Sequence, residues 1–221
     1  MGTGERRAVN GVRRAPAPFG DRQRGFFIVL EGIDGSGKTE QTRRLGSWLR
    51  EHGVDVVETQ EPTDGEWGRR YRAWARGEME AEPSEVLDFF IKDRCEHVSG
   101  VIGPTLAAGR WIVCDRYVAS TLAYQGAQGI PPERVRKRIA AEAFPEPDLA
   151  LWLRLPVAQA LMRLESGPGE RFERATFLER VDQEYARLGL EVLDASGAVG
   201  DVAGAIQERV LAALGASENA G

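Results

Sequence analysis

The chain has 221 residues, of which 42% are hydrophobic, and a formal net charge of −5. This length suits one α/β domain with a substantial core, and the acidic balance argues against a general nucleic-acid-binding surface. No apolar run approaches the ~20 residues of a membrane span, so we expect neither a membrane nor a nucleic-acid partner. Cys95 and Cys114 match no metal-ligand spacing. We therefore predict two buried, reduced thiols in a cytoplasmic protein.

Residues 1–24 form the first distinct segment of the chain. They are rich in Gly and Pro, show no periodicity and lack the apolar centre of a signal peptide. Their six arginines are Arg6, Arg7, Arg13, Arg14, Arg22 and Arg24. We predict a disordered, solvated extension. A contact with nucleic acid or a protein partner is the alternative interpretation.

The next segment, residues 32–39, reads Gly-Ile-Asp-Gly-Ser-Gly-Lys-Thr and matches Gly-x-x-x-x-Gly-Lys-[Ser/Thr]. The apolar run 26–30 before it predicts a buried strand, and the spacing of Leu45, Trp48 and Leu49 after it predicts a helix. A glycine loop between a strand and a helix binds nucleotide phosphates, because backbone N–H groups and the helix N-terminus face the anion. We predict that ATP or GTP contacts Gly32, Gly35, Ser36, Gly37, Lys38 and Thr39.

Lys38, Thr39 and Asp115 are the candidates for binding the outer phosphates and a metal. Lys38 can reach the outer phosphates, and the Thr39 hydroxyl can ligate Mg²⁺. Residues 111–114 predict a buried strand that ends in Asp-Arg, and parallel sheets bind ligands beyond the carboxyl ends of their strands. Asp115 is therefore placed to hold Mg²⁺ directly or through water, and Arg116 to grip a phosphate. A strand-end ion pair is the alternative.

Strand and helix patterns alternate along the chain, which is typical of a parallel sheet covered by helices on both faces. We predict a five-stranded parallel sheet with strands at residues 26–31, 54–59, 111–114, 149–155 and 191–193. Further helices are predicted at residues 83–108, 131–144, from 156 onward, 177–190 and 202–214. The domain then covers residues 25–214, and residues 215–221 form a frayed tail.

Phe90 and Arg94 are spaced i, i+4 on one predicted helix face. An aromatic ring beside a guanidinium can stack on a base and hydrogen-bond to it. The spacing alone favours a plainer interpretation, in which Phe90 is part of the core and Arg94 is a surface charge. Asp34 lies inside the phosphate loop, where a carboxylate does not help to hold anions. We predict that it accepts a hydrogen bond from a sugar hydroxyl or orients the acceptor.

A glycine- and proline-rich break at residues 166–169 precedes a segment with several arginines. We predict a lid near residues 163–174. Such a lid closes over the phosphates, excludes water and delivers an arginine to the transferring group. An ordinary surface loop is the alternative.

Further motifs follow the phosphate loop in a fixed order. They are Glu-Pro-Thr-Asp at 61–64, Phe-x-x-x-Arg at 90–94, Asp-Arg-Tyr at 115–117, Ser-Thr-Leu-Ala-Tyr-Gln-Gly at 120–126, Pro-Asp-Leu at 147–149 and Asp-Ala-Ser at 194–196. The ordered set, spanning about residues 26–214, resembles the bacterial and archaeal thymidylate kinases. The resemblance implies a P-loop nucleoside monophosphate kinase, commonly a homodimer, that transfers the γ-phosphoryl of Mg-ATP to dTMP and gives dTDP and ADP.

The resemblance also implies roles for the matching residues of the acceptor site. Phe90 would stack on thymine, and Arg94 would hydrogen-bond its carbonyl oxygen. Arg116 would hold the acceptor phosphate, and Asp34 would bond the 3′-hydroxyl. Tyr124 would lie against the deoxyribose and disfavour a 2′-hydroxyl.

Three further positions receive roles from the same resemblance. Ser120 would lie near the base, and Gln125 would contact the base or the sugar. The turn at residues 194–196 would border the adenine of ATP.

The chain departs from the family pattern at three positions. Some members have an arginine where this loop has Gly35. In this chain the arginine that stabilises the transferring phosphoryl group must therefore come from another segment. The lid segment offers Arg163, Arg171 and Arg174. Among these we predict Arg171, which would act with Lys38, Arg116 and Asp34 in catalysis. Gln60 replaces a frequent Arg or Lys, and Arg154 replaces a frequent acid.

Two other hypotheses remain open at this point. The change at Gln60 motivates a related kinase that acts on dUMP or on a modified pyrimidine nucleotide. A nucleotide-binding regulatory protein would instead carry a guanine-reading Asn-Lys-x-Asp segment. The sequence has no such segment.

Overall fold

The computed structural model describes the backbone of residues 25–164 and 168–218, and all of their side chains except those of residues 168–173, 217 and 218. Residues 1–24, 165–167 and 219–221 lie outside the described residues. They include the predicted N-terminal extension and the first two residues of the break predicted at 166–169. The side chain of Arg171 also lies outside the described residues.

Five parallel strands form one sheet in the order β2-β3-β1-β4-β5. The strands are β1 (Phe27–Glu31), β2 (Val56–Gln60), β3 (Trp111–Asp115), β4 (Leu149–Arg154) and β5 (Glu191–Asp194). The predicted five-stranded parallel sheet is confirmed. Since the carboxyl ends of β1 and β3 lie side by side, the segments that follow these two strands meet at one edge of the sheet.

Helices connect the strands. They are α1 (Lys38–Glu51), α2 (Glu66–Ala75), α3 (Pro83–His97), α4 (Gly103–Ala107), α5 (Val118–Ala127), α6 (Pro132–Ala140), α7 (Val157–Arg163), α8 (Pro168–Ala186) and α9 (Val199–Glu218). Helices α2 and α5 were not predicted. The α5 sequence contains Ser, Thr, Val and Gly, whose weak helix propensity hides the helix from local pattern analysis. None of the helices in the described ranges is long and apolar enough to cross a membrane.

The helix predicted at residues 83–108 is interrupted by a π-helical turn, Val98–Ile102, between α3 and α4. Pro104 has no N–H and cannot make the α-helical hydrogen bond to residue 100. The N–H of Gly103 bonds instead to the carbonyl of Val98, five residues earlier. A local sequence feature therefore explains why one predicted helix is observed as two.

Two helix boundaries and the burial of one cysteine also differ from the prediction. Helix α8 begins at Pro168, so the backbone of residues 170–174, predicted to be a loop, is helical. Helix α9 continues to Glu218, beyond the predicted end of the domain. Cys114 and Cys95 are both free thiols, as predicted, but Cys95 is only half-buried, with its Sγ 3.6 Å from the Glu142 carboxylate.

The two faces of β1 belong to different clusters of the core. Ile28 and Leu30 pack in the larger cluster, which includes Leu45 and Leu49 of α1. Alternate side chains of the same strand pack in a smaller cluster with the π-helical turn and β3. Helices therefore cover both faces of the sheet, and β1 is buried on both sides.

Leu151, in β4, has no exposed surface. We expect Leu151→Ala to lower the free energy of unfolding by about 2–5 kcal/mol, because it removes buried methyl groups and leaves a cavity. Met162, which is 74% exposed, provides the control, since Met162→Ala should change stability by less than about 0.5 kcal/mol. Urea unfolding followed by circular dichroism measures both. Equal losses would contradict the assigned core.

Candidate active site

The phosphate loop connects β1 to α1, as the sequence predicts. Its backbone turns sharply, with φ of 82° at Gly35 and 90° at Gly37. A Cβ at Gly35 would lie 2.5 Å from the carbonyl oxygen of Ala160 in α7. A side chain does not fit there without displacing backbone. The fold itself therefore requires glycine at the position where some relatives of the predicted family have arginine.

Lys38 begins α1 and is 5% exposed. Its ammonium donates to the carbonyl of Ile33 at 2.9 Å and to the Ser36 hydroxyl at 3.2 Å. Burial, and then the charge of Arg116, lower the pKa of Lys38 to about 8, against the opposite pull of neighbouring acids. A phosphate at the helix N-terminus would favour the charged ammonium.

The Thr39 hydroxyl donates to Oδ2 of Asp115 at 2.6 Å. Oδ1 of the same carboxylate is buried and has no hydrogen-bond partner among the described residues. An unpartnered buried carboxylate oxygen beside a hydroxyl is a hard oxygen donor set, and it fits Mg²⁺. Gln60 lines the same cleft as Thr39 and Asp115. The substitution at Gln60 therefore lies beside the candidate metal position.

Arg116 follows β3 and has a left-handed backbone, with φ of 70°. Its Nη1 donates to the carbonyl of Gly32 at 3.0 Å and to the Ser120 hydroxyl at 3.1 Å. Its Nη2 donates to Asp34 at 2.6 Å and to the Tyr124 hydroxyl at 3.1 Å. One guanidinium thus connects the phosphate loop to helix α5.

One cavity unites most of the residues predicted for the acceptor site. It is lined by Asp34, Glu61, Pro62, Tyr71, Phe90, Arg94, Arg116, Tyr117, Ser120, Thr121 and Tyr124. Gln125 is not among them. It has no exposed surface, and its Nε2 donates to Gln128 at 3.0 Å. Its placement gives no support to a contact with the base or sugar.

Arg94 is 1% exposed, which excludes the interpretation as a surface charge. Its Nε and Nη2 donate to one oxygen of Glu61 at 2.8 and 2.6 Å, and its Nη2 also donates to Thr121 at 2.9 Å. Its Nη1 is buried without a hydrogen-bond partner among the described residues. The other oxygen of Glu61 accepts from Nδ1 of His97 at 3.0 Å. Arg94 is therefore rigidly held and has one free nitrogen.

Phe90 is half-buried, and its ring lies at the cavity beside that of Tyr71, with centroids 4.5 Å apart. Tyr71, Glu61 and Thr121 line the cavity, but the sequence interpretation gave them no role. Tyr71 lies on the unpredicted helix α2. Glu61 and Thr121 lie within the motifs at residues 61–64 and 120–126. Membership of those motifs was the sequence feature that could have indicated a role for them.

Arg163, at the end of α7, donates from Nη1 to the carbonyl of Gly35 at 3.2 Å. Arg174 in α8 is near enough for its charge to lower the pKa of Asp34. The side chain of Arg171, the predicted lid arginine, lies outside the described residues. Of the arginines considered for the lid, Arg163 is the one with a described contact to the phosphate loop.

The turn after β5 closes on itself, with the N–H of Ser196 donating to Asp194 at 2.9 Å. Asp194 and Arg154 line a further cleft with Leu155, Pro156, Val157, Asp182 and Val192. Arg154 donates to Asp182 at 3.1 Å. Arg154, which stands where the family often has an acid, is therefore paired with Asp182 of the same chain.

Comparison with known proteins gives a consistent assignment. Residues 30–206 match the family model described as thymidylate kinase. The chain belongs to the thymidylate kinase family. It is 45% identical to a thymidylate kinase of Akkermansia muciniphila over 72% of this chain and 74% of that protein. It is 42% identical to a probable thymidylate kinase of Pyrococcus abyssi (75% and 83% covered) and 40% identical to a thymidylate kinase of Xanthomonas campestris pv. campestris (86% and 85% covered).

The Asp34 carboxyl is 44% exposed and pairs with Arg116. Burial raises its pKa, but the charges of Arg116, Lys38 and Arg174 together hold the pKa below its usual 3.8. We expect Arg116→Met to raise the pKa of Asp34, measured by NMR titration of its carboxyl carbon. Arg110→Met, which removes a guanidinium paired with Asp55 instead, is the control. An unchanged Asp34 pKa in Arg116→Met would contradict the assigned pair.

The lowered pKa of Asp34 makes the stability of the fold depend on pH. Because the folded pKa is the lower one, the Asp34 pair stabilises the fold above the unfolded pKa of 3.8 and loses that effect as the pH falls through the folded value. The stability difference between the natural protein and Asp34→Asn should therefore shrink below about pH 4.

Proposed function

We propose that the protein transfers the γ-phosphoryl of Mg-ATP to dTMP, forming dTDP and ADP. The observation that carries the proposal is a cavity beside the phosphate loop that is lined by a half-buried aromatic ring, a buried arginine and a second arginine, Arg116, which is bonded to the phosphate loop. Membership of the thymidylate kinase family favours dTMP over the other acceptors and over a regulatory role.

Phosphoryl transfer requires two phosphates to be brought together and their charge neutralised. Lys38 would hold the outer phosphates of ATP at the start of α1, and Arg116 would hold the phosphate of the acceptor. Arg163 would approach the transferring group from α7, since its guanidinium already contacts the phosphate loop. Thr39 and Asp115 would hold Mg²⁺, which when bound neutralises charge on the β- and γ-phosphates.

The acceptor end of the cavity suits a deoxyribonucleoside with a neutral base. Phe90 and Tyr71 provide aromatic surface for stacking. The free Nη1 of Arg94 suits a base carbonyl, and the neighbouring Thr121 hydroxyl can pair with the adjacent ring nitrogen. Tyr124 lines the cavity, with its ring centroid 4.9 Å from Cζ of Arg116, so its ring can restrict the space at the sugar.

The remaining parts of the proposal rest on the family resemblance. Asp34 would bond the 3′-hydroxyl, and the turn at residues 194–196 would border adenine. Ser120 lines the cavity but also bonds within the chain, so its role is positional. We further propose a cytoplasmic homodimer.

The acceptor preference is tested by measuring ADP formation with Mg-ATP against dTMP, dUMP, dCMP, CMP, UMP, AMP and GMP. We expect dTMP to exceed dUMP by about 10- to 200-fold in kcat/KM, which is the value of one methyl group in an apolar pocket. Lys38→Ala is the control for contaminating activity and should reduce all rates to background. A preference for another acceptor would replace dTMP in the proposal and leave the kinase chemistry in place.

The source of the lid charge is tested by Arg163→Ala and Arg171→Ala. If Arg163 acts on the transferring group, Arg163→Ala should lower kcat by about 10²–10³-fold, the usual cost of losing one such donor. The KM for dTMP should change little. Arg110→Ala, on the surface and paired with Asp55, is the matched control. A large kcat loss in Arg171→Ala alone would restore the prediction made from the sequence.

A further inference from the structure

Glu31, the last residue of β1, is 1% exposed and carries a carboxylate that the proposed chemistry does not use. Its Oε1 accepts the N–H groups of Tyr117 at 2.9 Å and Ser120 at 3.2 Å. Its Oε2 accepts the hydroxyls of Ser120 at 2.5 Å and Tyr185 at 3.0 Å. The carboxylate does not line the acceptor cavity among the described residues.

Burying a carboxylate removes it from water at a large cost in free energy, which surrounding hydrogen bonds must offset. Burial raises the pKa of Glu31, while the Ser120 hydroxyl and the charge of Arg116 lower it. An apolar side chain would pack here without this cost. Packing alone therefore does not account for a carboxylate at position 31. The groups that hydrogen-bond to Glu31 indicate which part of the site it holds in place.

Two of these hydrogen bonds hold Arg116. The N–H of Tyr117 belongs to the peptide bond directly after Arg116, whose left-handed backbone is costly for a residue with a side chain. The Ser120 hydroxyl accepts a hydrogen bond from the Arg116 guanidinium and donates one to Glu31. Glu31 thus fixes both the backbone and the charged group of Arg116.

Glu31 also caps α5 from a distant part of the chain. The helix has no capping side chain at its own N-cap, Tyr117. The N–H groups that a cap would satisfy, those of Tyr117 and Ser120, bond to Glu31 instead. The start of α5 and the position of Arg116 therefore depend on one carboxylate.

Tyr185 brings helix α8 into the same network. Its ring stacks on Trp152 with centroids 5.7 Å apart, which holds the ring in place independently of the hydroxyl. The hydroxyl bonds to Glu31 and lies 2.7 Å from the Ser120 hydroxyl. The same helix carries Arg174, whose charge acts on Asp34.

We propose that Glu31 and Tyr185 are positioning residues. Glu31 holds the Arg116 guanidinium at the acceptor phosphate, and the Tyr185 hydroxyl joins that carboxylate to helix α8. Neither residue touches the substrate. This inference rests on the proposed role of Arg116 in the kinase reaction.

The test is Tyr185→Phe, which removes one hydroxyl and keeps the stacked ring. We expect the affinity for dTMP to fall about 3- to 30-fold, while the affinity for thymidine, which has no phosphate, and the KM for ATP stay unchanged. Calorimetry measures dTMP binding, and competition measures thymidine binding. Thr105→Val, which removes a buried hydroxyl in the distant helix α4, should change none of these values.

A double-mutant cycle separates positioning from general damage to the pocket. If the Tyr185 hydroxyl acts through Arg116, Tyr185→Phe should have no further effect on dTMP affinity in an Arg116→Met background. Glu31→Gln should show the same phosphate-dependent loss with a larger magnitude, and thermal unfolding checks that it folds. If Glu31→Gln fails to fold, Tyr185→Phe alone decides the question.

Three outcomes would overturn the inference: no change in Tyr185→Phe, equal losses for dTMP and thymidine, or an undiminished effect in the Arg116→Met background. Failure of the proposed function is recognised separately. If the natural protein prefers another nucleoside monophosphate, the same cycle is run with that nucleotide and its nucleoside, so the positioning role is still measured.

Discussion

The positions of the phosphate loop, Asp115 and Arg116 depend on the parallel pairing of β1 with β3. Leu30 lies opposite Asp115, so the phosphate loop and Arg116 begin at the same edge of the sheet. The Arg116 guanidinium bonds to the carbonyl of Gly32 across this junction. A shift of one residue in register would turn Asp115 to the opposite face and separate the metal candidate from Thr39. The chemistry of the site therefore depends on an apolar strand pairing that takes no part in it.

The site places two cationic side chains, those of Lys38 and Arg116, close together in a largely buried position. The lowered pKa of Lys38 shows that burial and the Arg116 charge outweigh the attraction of Asp115, Asp34 and Glu31. Burial is the larger of the two causes. Bound phosphates would favour the charged ammonium, so a protein with net charge −5 could hold polyanions at this site. The relevant field is local, and the overall charge of the chain says little about it.

Local sequence patterns predicted the sheet and the phosphate loop, because each depends on residues close together in the chain. The acceptor roles of Phe90, Arg94 and Tyr124 came from the family resemblance, since the spacing of Phe90 and Arg94 alone favoured a core ring and a surface charge. Local patterns failed where a contact joins distant segments. Gln125 follows Tyr124 directly, but one residue turns a helix by about 100°, so the two side chains point to different places. Glu31 and Tyr185 meet across 154 positions of sequence, and no spacing rule indicates such a pair.

The two arginines of the cavity show how one residue type serves two purposes. Arg94 donates from two nitrogens to the buried Glu61, which offsets its charge. Its Nη1, which has no hydrogen-bond partner among the described residues, would act as a directed donor. Arg116 shares its charge with Asp34, whose side chain is 44% exposed and screened by solvent, and its other side-chain partners are neutral hydroxyls. Arg116 therefore keeps more of its positive field. A neutral carbonyl would suit the first arginine and a charged phosphate the second, so the paired acids would orient the nucleotide that we propose for the cavity.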